Sequence, residues 1–179
     1  MPFAILSKGI IFITRSRETM ELLPGHVYFI KDAFFEFVQD PYLMRNYPTT
    51  MRPHYYAIKD GRTGLYWMIP CSSKVEKYER IIAKRQRNGR ETVSLKITQI
   101  AGKKAALLLQ DMFPVSASFV EEPYFRGGQA VQIANPNERL EIDRAARRVI
   151  RMLRQGIQFT RFQPDALRIE QLMLESLGN

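Results

Sequence analysis

This chain of 179 residues has few of the residues that build metal sites and disulfides. Cys71 is its one cysteine, and His26 and His54 are its two histidines. A single cysteine excludes an internal disulfide framework and is typical of a reducing cytoplasm. Three such ligands spread along the chain do not make a convincing zinc site, so we expect no metal and no cofactor.

Long apolar runs and several well-known motifs are also missing. No stretch approaches the roughly 20 apolar residues that a membrane helix needs, and Ser7 and Lys8 interrupt the apolar residues near the start. We therefore expect a cytoplasmic protein with neither a signal peptide nor a membrane segment. The patterns GxxxxGK[ST], GxGxxG, HExxH and SxxK do not occur, so no familiar nucleotide-binding or hydrolase class is favoured.

The positive charge is concentrated in one third of the chain. The net charge is +9, and residues 44–104 carry 14 Lys+Arg against 4 Asp+Glu, while the other residues carry 13 against 14. Tyrosines and the one tryptophan are interleaved with this basic block. Such a block favours a polyanionic partner, nucleic acid before membrane. The alternative is a solvated face that only keeps the protein soluble.

Hydrophobic periodicity predicts an α+β protein whose C-terminal third is helical. We expect one compact domain with a twisted antiparallel sheet or open barrel packed by helices. The expected hairpins join 54–60 to 63–69 and 92–100 to 103–112. Further strands are expected at 26–31 and 129–134, and helices at 32–40, after Ser73, from Asn135 to Gly156 and after Pro164. The helix from Asn135 is expected to have Asn135 as its cap, and its expected apolar stripe is Ile142, Ala145, Ala146, Val149 and Leu153. The last helix is expected to bury Leu167, Leu172 and either Leu174 or Leu177.

The stretch IPCSSKVEK, residues 69–77, is a candidate site. Ser73 and Glu76 have the S-x-x-E spacing of a capping box, which predicts that a helix starts at Ser73. The first turn of a helix carries unpaired N–H groups and can bind an anion. The hydroxyls of Ser72 and Ser73 and the ammonium of Lys74 would add three phosphate contacts. The alternative is that Ser73 is only a cap, and Cys71 is more often a buried apolar residue here than a nucleophile.

The order of several segments resembles the type III toxin–antitoxin endoribonucleases. The segments are VYFIKDAFFEFVQDPYLM, RPHYYAIKDGRTGLYWMIPCSSKVEKYERII, LLLQDMFPV and a Gly-Gly loop before a long basic helix. Within that superfamily the sequence is most similar to the CptN-like toxins, with ToxN as a more distant relative. The resemblance runs from about Val27 to Leu177. We therefore divide the chain into an N-terminal extension at 1–23 and a single RNase toxin domain at 24–179.

The resemblance implies an activity and a set of partners. Members are sequence-specific, metal-independent RNases built on a twisted antiparallel β-core, with roles in phage defence. Each is inhibited by a small antitoxin RNA of repeated pseudoknot units, which the toxin cuts from a longer transcript and then binds. Toxin and RNA close into ring-shaped assemblies in which the RNA bridges the protein subunits, and free toxin cuts cellular RNA.

The resemblance also implies site residues. It places the catalytic hydroxyl pair on Ser72 and Ser73 and the active-site lysine on Lys74, with Lys77 as the alternative. ToxN-like relatives have a lysine where His54 stands, so His54 is expected to transfer a proton or to contact phosphate. Its ordinary pKa of about 6.5 would suit proton transfer at neutral pH. The expected RNA-binding residues are Arg52, Tyr55, Lys77, Arg80, Lys84, Arg85, Arg87 and Arg90.

The expected reaction is an attack by an RNA 2′-OH on the adjacent phosphate, which leaves a 2′,3′-cyclic phosphate and a 5′-OH. Two other functions remain open at this point. One is a non-catalytic RNA-binding or translational-regulator module that uses the basic face 74–104. The other is a serine–lysine hydrolase, which would form a covalent adduct at Ser72 or Ser73.

Overall fold

The structure, a computed structural model that describes residues 21–178, is built on a seven-stranded antiparallel sheet. Its strands are β1 (Val27–Ile30), β2 (Pro53–Lys59), β3 (Tyr66–Ser72), β4 (Lys96–Ile100), β5 (Lys103–Leu107), β6 (Phe113–Val115) and β7 (Val120–Pro123). A separate ribbon pairs β8 (Phe125–Arg126) with β9 (Gln129–Ala130). The helices are α1 (Asp32–Val38), α2 (Val75–Arg87), α3 (Pro136–Arg154) and α4 (Ala166–Gly178).

The sheet is organised around β3, which is buried along its whole length. The strand order is β4-β5-β3-β2-β1-β7, and β6 also pairs with β3. β6 lies beside Tyr66–Met68, whereas β5 lies beside Cys71 and Ser72. Between β5 and β6 the chain forms a 3-10 turn, Leu109–Asp111. The neighbour of β3 therefore changes just before the strand ends, and the turn lies beside that end.

The two faces of the sheet have separate cores. The apolar stripe of α3, which includes Ile142 and Val149, packs with Trp67 and Ile69 on one face, and this confirms the stripe that the sequence predicts. Phenylalanines of α1 and apolar side chains of α4 pack on the other face. A third, smaller cluster joins Tyr78 of α2 to β4 and β5. Each large apolar side chain buried in this way contributes about 1.5–3 kcal/mol of transfer free energy.

The predicted α+β architecture is confirmed, with an open antiparallel sheet rather than a closed barrel. Both predicted hairpins are present, as β2–β3 and β4–β5. The second is shorter than predicted, because the chain leaves the sheet after Leu107 to form the 3-10 turn. The predicted strand at 129–134 is reduced to β9. Asn135 caps α3 as predicted, since its side chain accepts hydrogen bonds from the amides of Asn137 and Glu138.

The prediction for the last helix is wrong about which leucines are buried. Leu167, Leu174 and Leu177 are exposed, and the buried side chains of α4 are Ala166, Ile169 and Met173. Their spacings of three and four residues define the stripe that faces the sheet. These exposed leucines lie on the neighbouring face of the same helix. The hydrophobic pattern alone did not distinguish that face from the buried one.

Two further predictions concern the ends of the chain and membranes. Residues 1–20, most of the predicted N-terminal extension 1–23, lie outside the described residues. Within residues 21–178, no helix is both long enough and apolar enough to cross a bilayer.

Candidate active site

Ser72 is the last residue of β3 and lies where the strand turns into α2. Its side chain is nearly buried, and its Oγ accepts a hydrogen bond of 3.2 Å from the backbone N–H of Lys74. Ser73 and Lys74 are exposed. The sequence prediction that these three residues share one site is therefore compatible with the geometry: Ser72 fixes the turn, and the next two side chains face solvent.

The predicted capping box is wrong. α2 begins at Val75 with Lys74 as its N-cap residue, and no side chain caps it. Glu76 is then the second helical residue rather than the third that the box requires. The reason is that β3 continues through Ser72, whose hydroxyl binds the Lys74 amide and delays the helix. The first backbone bond of the helix runs from Tyr78 N to Lys74 O, so the preceding amides carry the positive end of the helix dipole.

Arg52 lies against the same end of β3. The register that pairs His54 with Pro70, continued by two residues, sets Arg52 opposite Ser72. The Nη1 of Arg52 donates a 3.4 Å hydrogen bond to the carbonyl of Cys71, and its guanidinium lies 4.7 Å from the ring centre of Tyr47. Arg52 is thus a predicted RNA-binding residue that the fold brings beside the serine pair.

Tyr78, on the first turn of α2, is a member of this cluster that the sequence did not single out. Its phenol is buried, and burial and the charge of Asp111 raise its pKa, while the Ser72 hydroxyl and the charge of Arg52 lower it. The Nζ of Lys77 lies 5.3 Å from the Tyr78 ring centre. Five side chains therefore interact near the end of β3: Arg52 before β2, Ser72 of β3, Lys77 and Tyr78 of α2, and Asp111 of the 3-10 turn.

Asp111 is the second residue that the sequence reasoning missed. It stands in the 3-10 turn and is only 9% exposed. Burial raises its pKa to about 6, against the lowering effects of Gln110 and of the Lys77 charge. The signal in the sequence was an acid inside the apolar segment LLLQDMFPV, since an aspartate is rarely buried without a specific reason. Of the two candidate lysines, Lys77 is the one whose charge reaches this group.

His54 does not have the environment that its predicted role requires. It shares a sheet face with Ser72, but it is fully buried, with its ring 5.4 Å from that of Phe113 and 6.4 Å from that of Phe35. Neither ring nitrogen has a hydrogen-bond partner among the described residues. Burial, and then the charge of Arg52, lower its pKa to about 3. The ordinary pKa on which the prediction rested therefore does not hold, and the ring is neutral and enclosed.

Tyr55 and Cys71 are also enclosed. Tyr55 was expected to contact RNA, but it is buried in the core between the sheet and α3, where burial raises the pKa of its phenol. Side chains alternate between the faces of a strand, so Tyr55 points away from the face that His54 and Ser72 share. Cys71 packs in the same core, and burial raises the pKa of its thiol to about 12. The reading of Cys71 as a small buried apolar residue is confirmed.

The basic residues of α2 and the following loop divide into two groups. Arg80, Lys84, Arg87 and Arg90 are exposed. Arg85 is partly buried, and its Nη1 donates a 2.9 Å hydrogen bond to the Oγ of Ser94. The guanidinium of Arg85 thus makes its hydrogen bond inside the protein rather than facing solvent. For the exposed four and Lys77, RNA binding stays a prediction.

Replacing Lys84 and Arg87 together by Gln should weaken RNA binding and reduce its dependence on salt. If each side chain contacts one phosphate, the slope of log K against log salt should decrease by about 1.4 for single-stranded RNA. The measurement is a fluorescence-anisotropy titration with a 2′-O-methyl RNA, which cannot be cut by its own 2′-oxygen. The matched control replaces Lys59 and Arg62, which are exposed at the far end of the β2–β3 hairpin. Equal slopes for the two double variants would remove this face of α2 from the RNA interface.

Comparison with solved structures shows that the fold of this chain is shared with a protein of known structure. One structural neighbour is AbiQ, a lactococcal anti-phage endoribonuclease belonging to the type III toxin–antitoxin system. The match has a TM-score of 0.66 and covers 86% of this chain and 98% of AbiQ, at 13% sequence identity. No protein-family model and no curated protein matches the chain. The fold that the sequence resemblance implied is therefore confirmed.

Proposed function

We propose that this protein is the endoribonuclease toxin of a type III toxin–antitoxin system. The observation that carries the proposal is the cluster at the end of β3, where Ser72, Arg52, Tyr78 and Lys77 surround the start of α2. Hydroxyls, cations and helix amides at one place are the groups that bind a phosphodiester. The shared fold with AbiQ supports the same function, and the charge of residues 44–104 supports an RNA substrate.

The proposed chemistry needs positioning and charge stabilisation rather than a protein nucleophile. Ser72, Ser73 and the amides at the start of α2 hold the non-bridging oxygens of the scissile phosphate. Lys74 stabilises the charge that grows on them as the 2′-oxygen attacks, and Arg52 fixes the neighbouring backbone. One well-placed donor to such a charge contributes about 10²–10³-fold in rate. The products are a 2′,3′-cyclic phosphate and a 5′-OH, and no metal takes part.

The proposed partners follow from the same assignment. The inhibitor is a small antitoxin RNA of repeated pseudoknot units, which the toxin cuts from its precursor in a sequence-specific manner and then binds. RNA bridges the protein subunits into a ring-shaped assembly, and cellular RNA in the cytoplasm is the target of the free toxin. The anti-phage role of AbiQ supports phage defence as the biological setting.

Incubating the purified protein with total RNA tests the activity. We expect discrete cuts that persist in EDTA, and a 2′-deoxy substitution at one cut position should abolish cleavage there because the internal nucleophile is removed. End analysis should give cyclic phosphate and 5′-OH termini. Activity lost in EDTA and restored by Mg²⁺ would refute the mechanism. RNA that is retained but intact would favour the non-catalytic RNA-binding module instead, and a phosphonate adduct at Ser72 or Ser73 would favour the serine–lysine hydrolase.

A further inference from the structure

Asp111 is a nearly buried acid beside the candidate site. Neither the sequence resemblance nor the proposed reaction gives this residue a role. The enclosed position of His54 leaves that reaction without a group to accept the proton of the 2′-OH. We propose that Asp111 is the general base that removes this proton, an inference that rests on the proposed endoribonuclease function. Three independent features of the structure support it: position, charge environment and a hydrogen-bonded support.

The position of Asp111 is fixed by the change of strand partner along β3. The amide of Leu108 donates a 3.1 Å hydrogen bond to the carbonyl of Pro70, and the amide of Asp111 donates one of 3.0 Å to the carbonyl of Leu108. The 3-10 turn is thereby attached to β3 two residues before Ser72. The charge of the Asp111 carboxylate raises the pKa of the Tyr78 phenol, and the Ser72 hydroxyl lowers it, so both groups act on the same phenol.

The charges around Asp111 suit a base. Burial raises its pKa to about 6, so the carboxylate accepts a proton more readily than an ordinary aspartate does and is still largely ionised at neutral pH. From α2, the charge of Lys77 acts on Asp111, and the Tyr78 phenol feels the charges of both Asp111 and Arg52. His54, on the neighbouring part of β2, is neutral throughout this pH range because its pKa is lowered to about 3. Asp111 is thus the acidic group of this cluster that titrates near pH 6.

A chain of hydrogen bonds holds Gln110, the neighbour of Asp111, in place. Arg85 Nη1 donates to Ser94 Oγ at 2.9 Å, and Ser94 Oγ donates to Gln110 Oε1 at 3.4 Å. The amide of Gln110 donates to the carbonyl of Ser94 at 3.1 Å. With its side-chain oxygen engaged by Ser94, Gln110 can present its NH₂ group to the carboxylate of Asp111, and this interaction lowers the pKa of Asp111. Arg85 was expected from the sequence to bind RNA. In the structure it instead belongs to the hydrogen-bond chain that positions Gln110 next to the proposed base.

The proposed step balances without a further reactant. The Asp111 carboxylate takes the proton of the 2′-OH as the bond from the 2′-oxygen to phosphorus forms. The bond from phosphorus to the 5′-oxygen breaks, and the leaving oxygen takes a proton from water. Asp111 then returns its proton to the resulting hydroxide, which restores the free enzyme.

The test is the pH dependence of RNA cleavage by Asp111→Asn in the full chain. For the wild-type protein we expect kcat/KM to rise with pH and to level off above about pH 6, where Asp111 is ionised. Asp111→Asn should lower kcat by about 10²–10⁴-fold, the usual contribution of a general base, and should remove the rise below pH 6. Its affinity for the 2′-O-methyl RNA should be unchanged. Glu79→Gln, an acid of α2 that pairs with Lys104 instead, should retain the wild-type profile.

A second variant keeps the test decisive if Asp111→Asn does not fold. Ser94→Ala removes the link between Arg85 and Gln110, so Gln110 should hold the ionised carboxylate less well and the rise in activity should move to higher pH. A wild-type profile in either folded variant would overturn the role of Asp111 while leaving the endoribonuclease function intact. If Asp111→Asn lost RNA binding and cleavage to the same extent, Asp111 would be a structural residue. Failure of the proposed function is a different result, in which the wild-type protein itself cuts no RNA.

Discussion

Replacing Ser72 by alanine should lower the rate of RNA cleavage by about 10²–10³-fold, the cost of losing one preorganised donor to a transition-state charge. The effect should fall on kcat rather than on RNA affinity, because the proposed backbone contacts of Arg52, Lys77 and the exposed cations of α2 would be left in place. The Oγ of Ser72 also accepts a hydrogen bond from the Lys74 amide. Its loss should reduce the free energy of unfolding by about 1 kcal/mol. Single-turnover cleavage and chemical denaturation measure the two effects separately.

Ser116→Ala is the matched control for Ser72→Ala. Ser116 is equally buried, and its hydroxyl is 2.8 Å from that of Ser118, so it too loses one hydrogen bond. It follows β6, whose Val115 pairs with Tyr66 at the opposite end of β3. We expect a similar loss of stability with no loss of cleavage. If both alanine variants cleaved at the wild-type rate, Ser72 would be a structural residue of the turn, and the phosphate would have to be bound elsewhere.

Replacing His54 by leucine should remove a large part of the acid sensitivity of the fold. The folded-state pKa of His54 is lowered from 6.5 to about 3, so the stability linked to this group is complete above pH 6.5 and is lost as the pH falls towards 3. The loss is about 1.4 kcal/mol per pH unit, or about 2.7 kcal/mol between pH 7.5 and pH 4.5. The measurement is urea denaturation of the wild-type protein and of His54→Leu between pH 7.5 and pH 4.5. The difference between their free energies of unfolding should change by about 2.7 kcal/mol over this range.

The activity of His54→Leu shows whether His54 transfers a proton during cleavage or is only an enclosed residue of the fold. Leucine has a similar volume and no polar atoms, and it replaces a ring whose two nitrogens have no partner among the described residues. At pH 7.5 we therefore expect stability to be unchanged or higher and cleavage to be retained. A folded His54→Leu variant without activity would restore His54 to the proton-transfer role that the sequence suggested.

Local patterns in the sequence were sufficient for much of the fold. Two runs rich in strand-forming residues, joined by a turn that contains Gly61, predicted β2 and β3, and the 3.6-residue stripe with the Asn135 cap predicted α3, because these features depend on neighbours a few residues apart. The capping box failed for a related reason. Ser73 has the right spacing to Glu76, but the hydrogen bond from the Lys74 amide to Ser72 and the continuation of β3 compete with it.

The sequence by itself determined the basic block, the order of hairpins and helices, and the segment in which Ser72, Ser73 and Lys74 stand. Only the tertiary structure decided which of the nearby residues can act there. His54 and Tyr55 are adjacent in sequence, yet burial on opposite faces of β2 removes both from solvent. Gln110, the neighbour of Asp111, and Arg85 become parts of one hydrogen-bonded network because a turn between β5 and β6 attaches to the end of β3. Burial and cross-strand contacts set these roles, since they shift proton affinities and fix orientations that residue spacing does not contain.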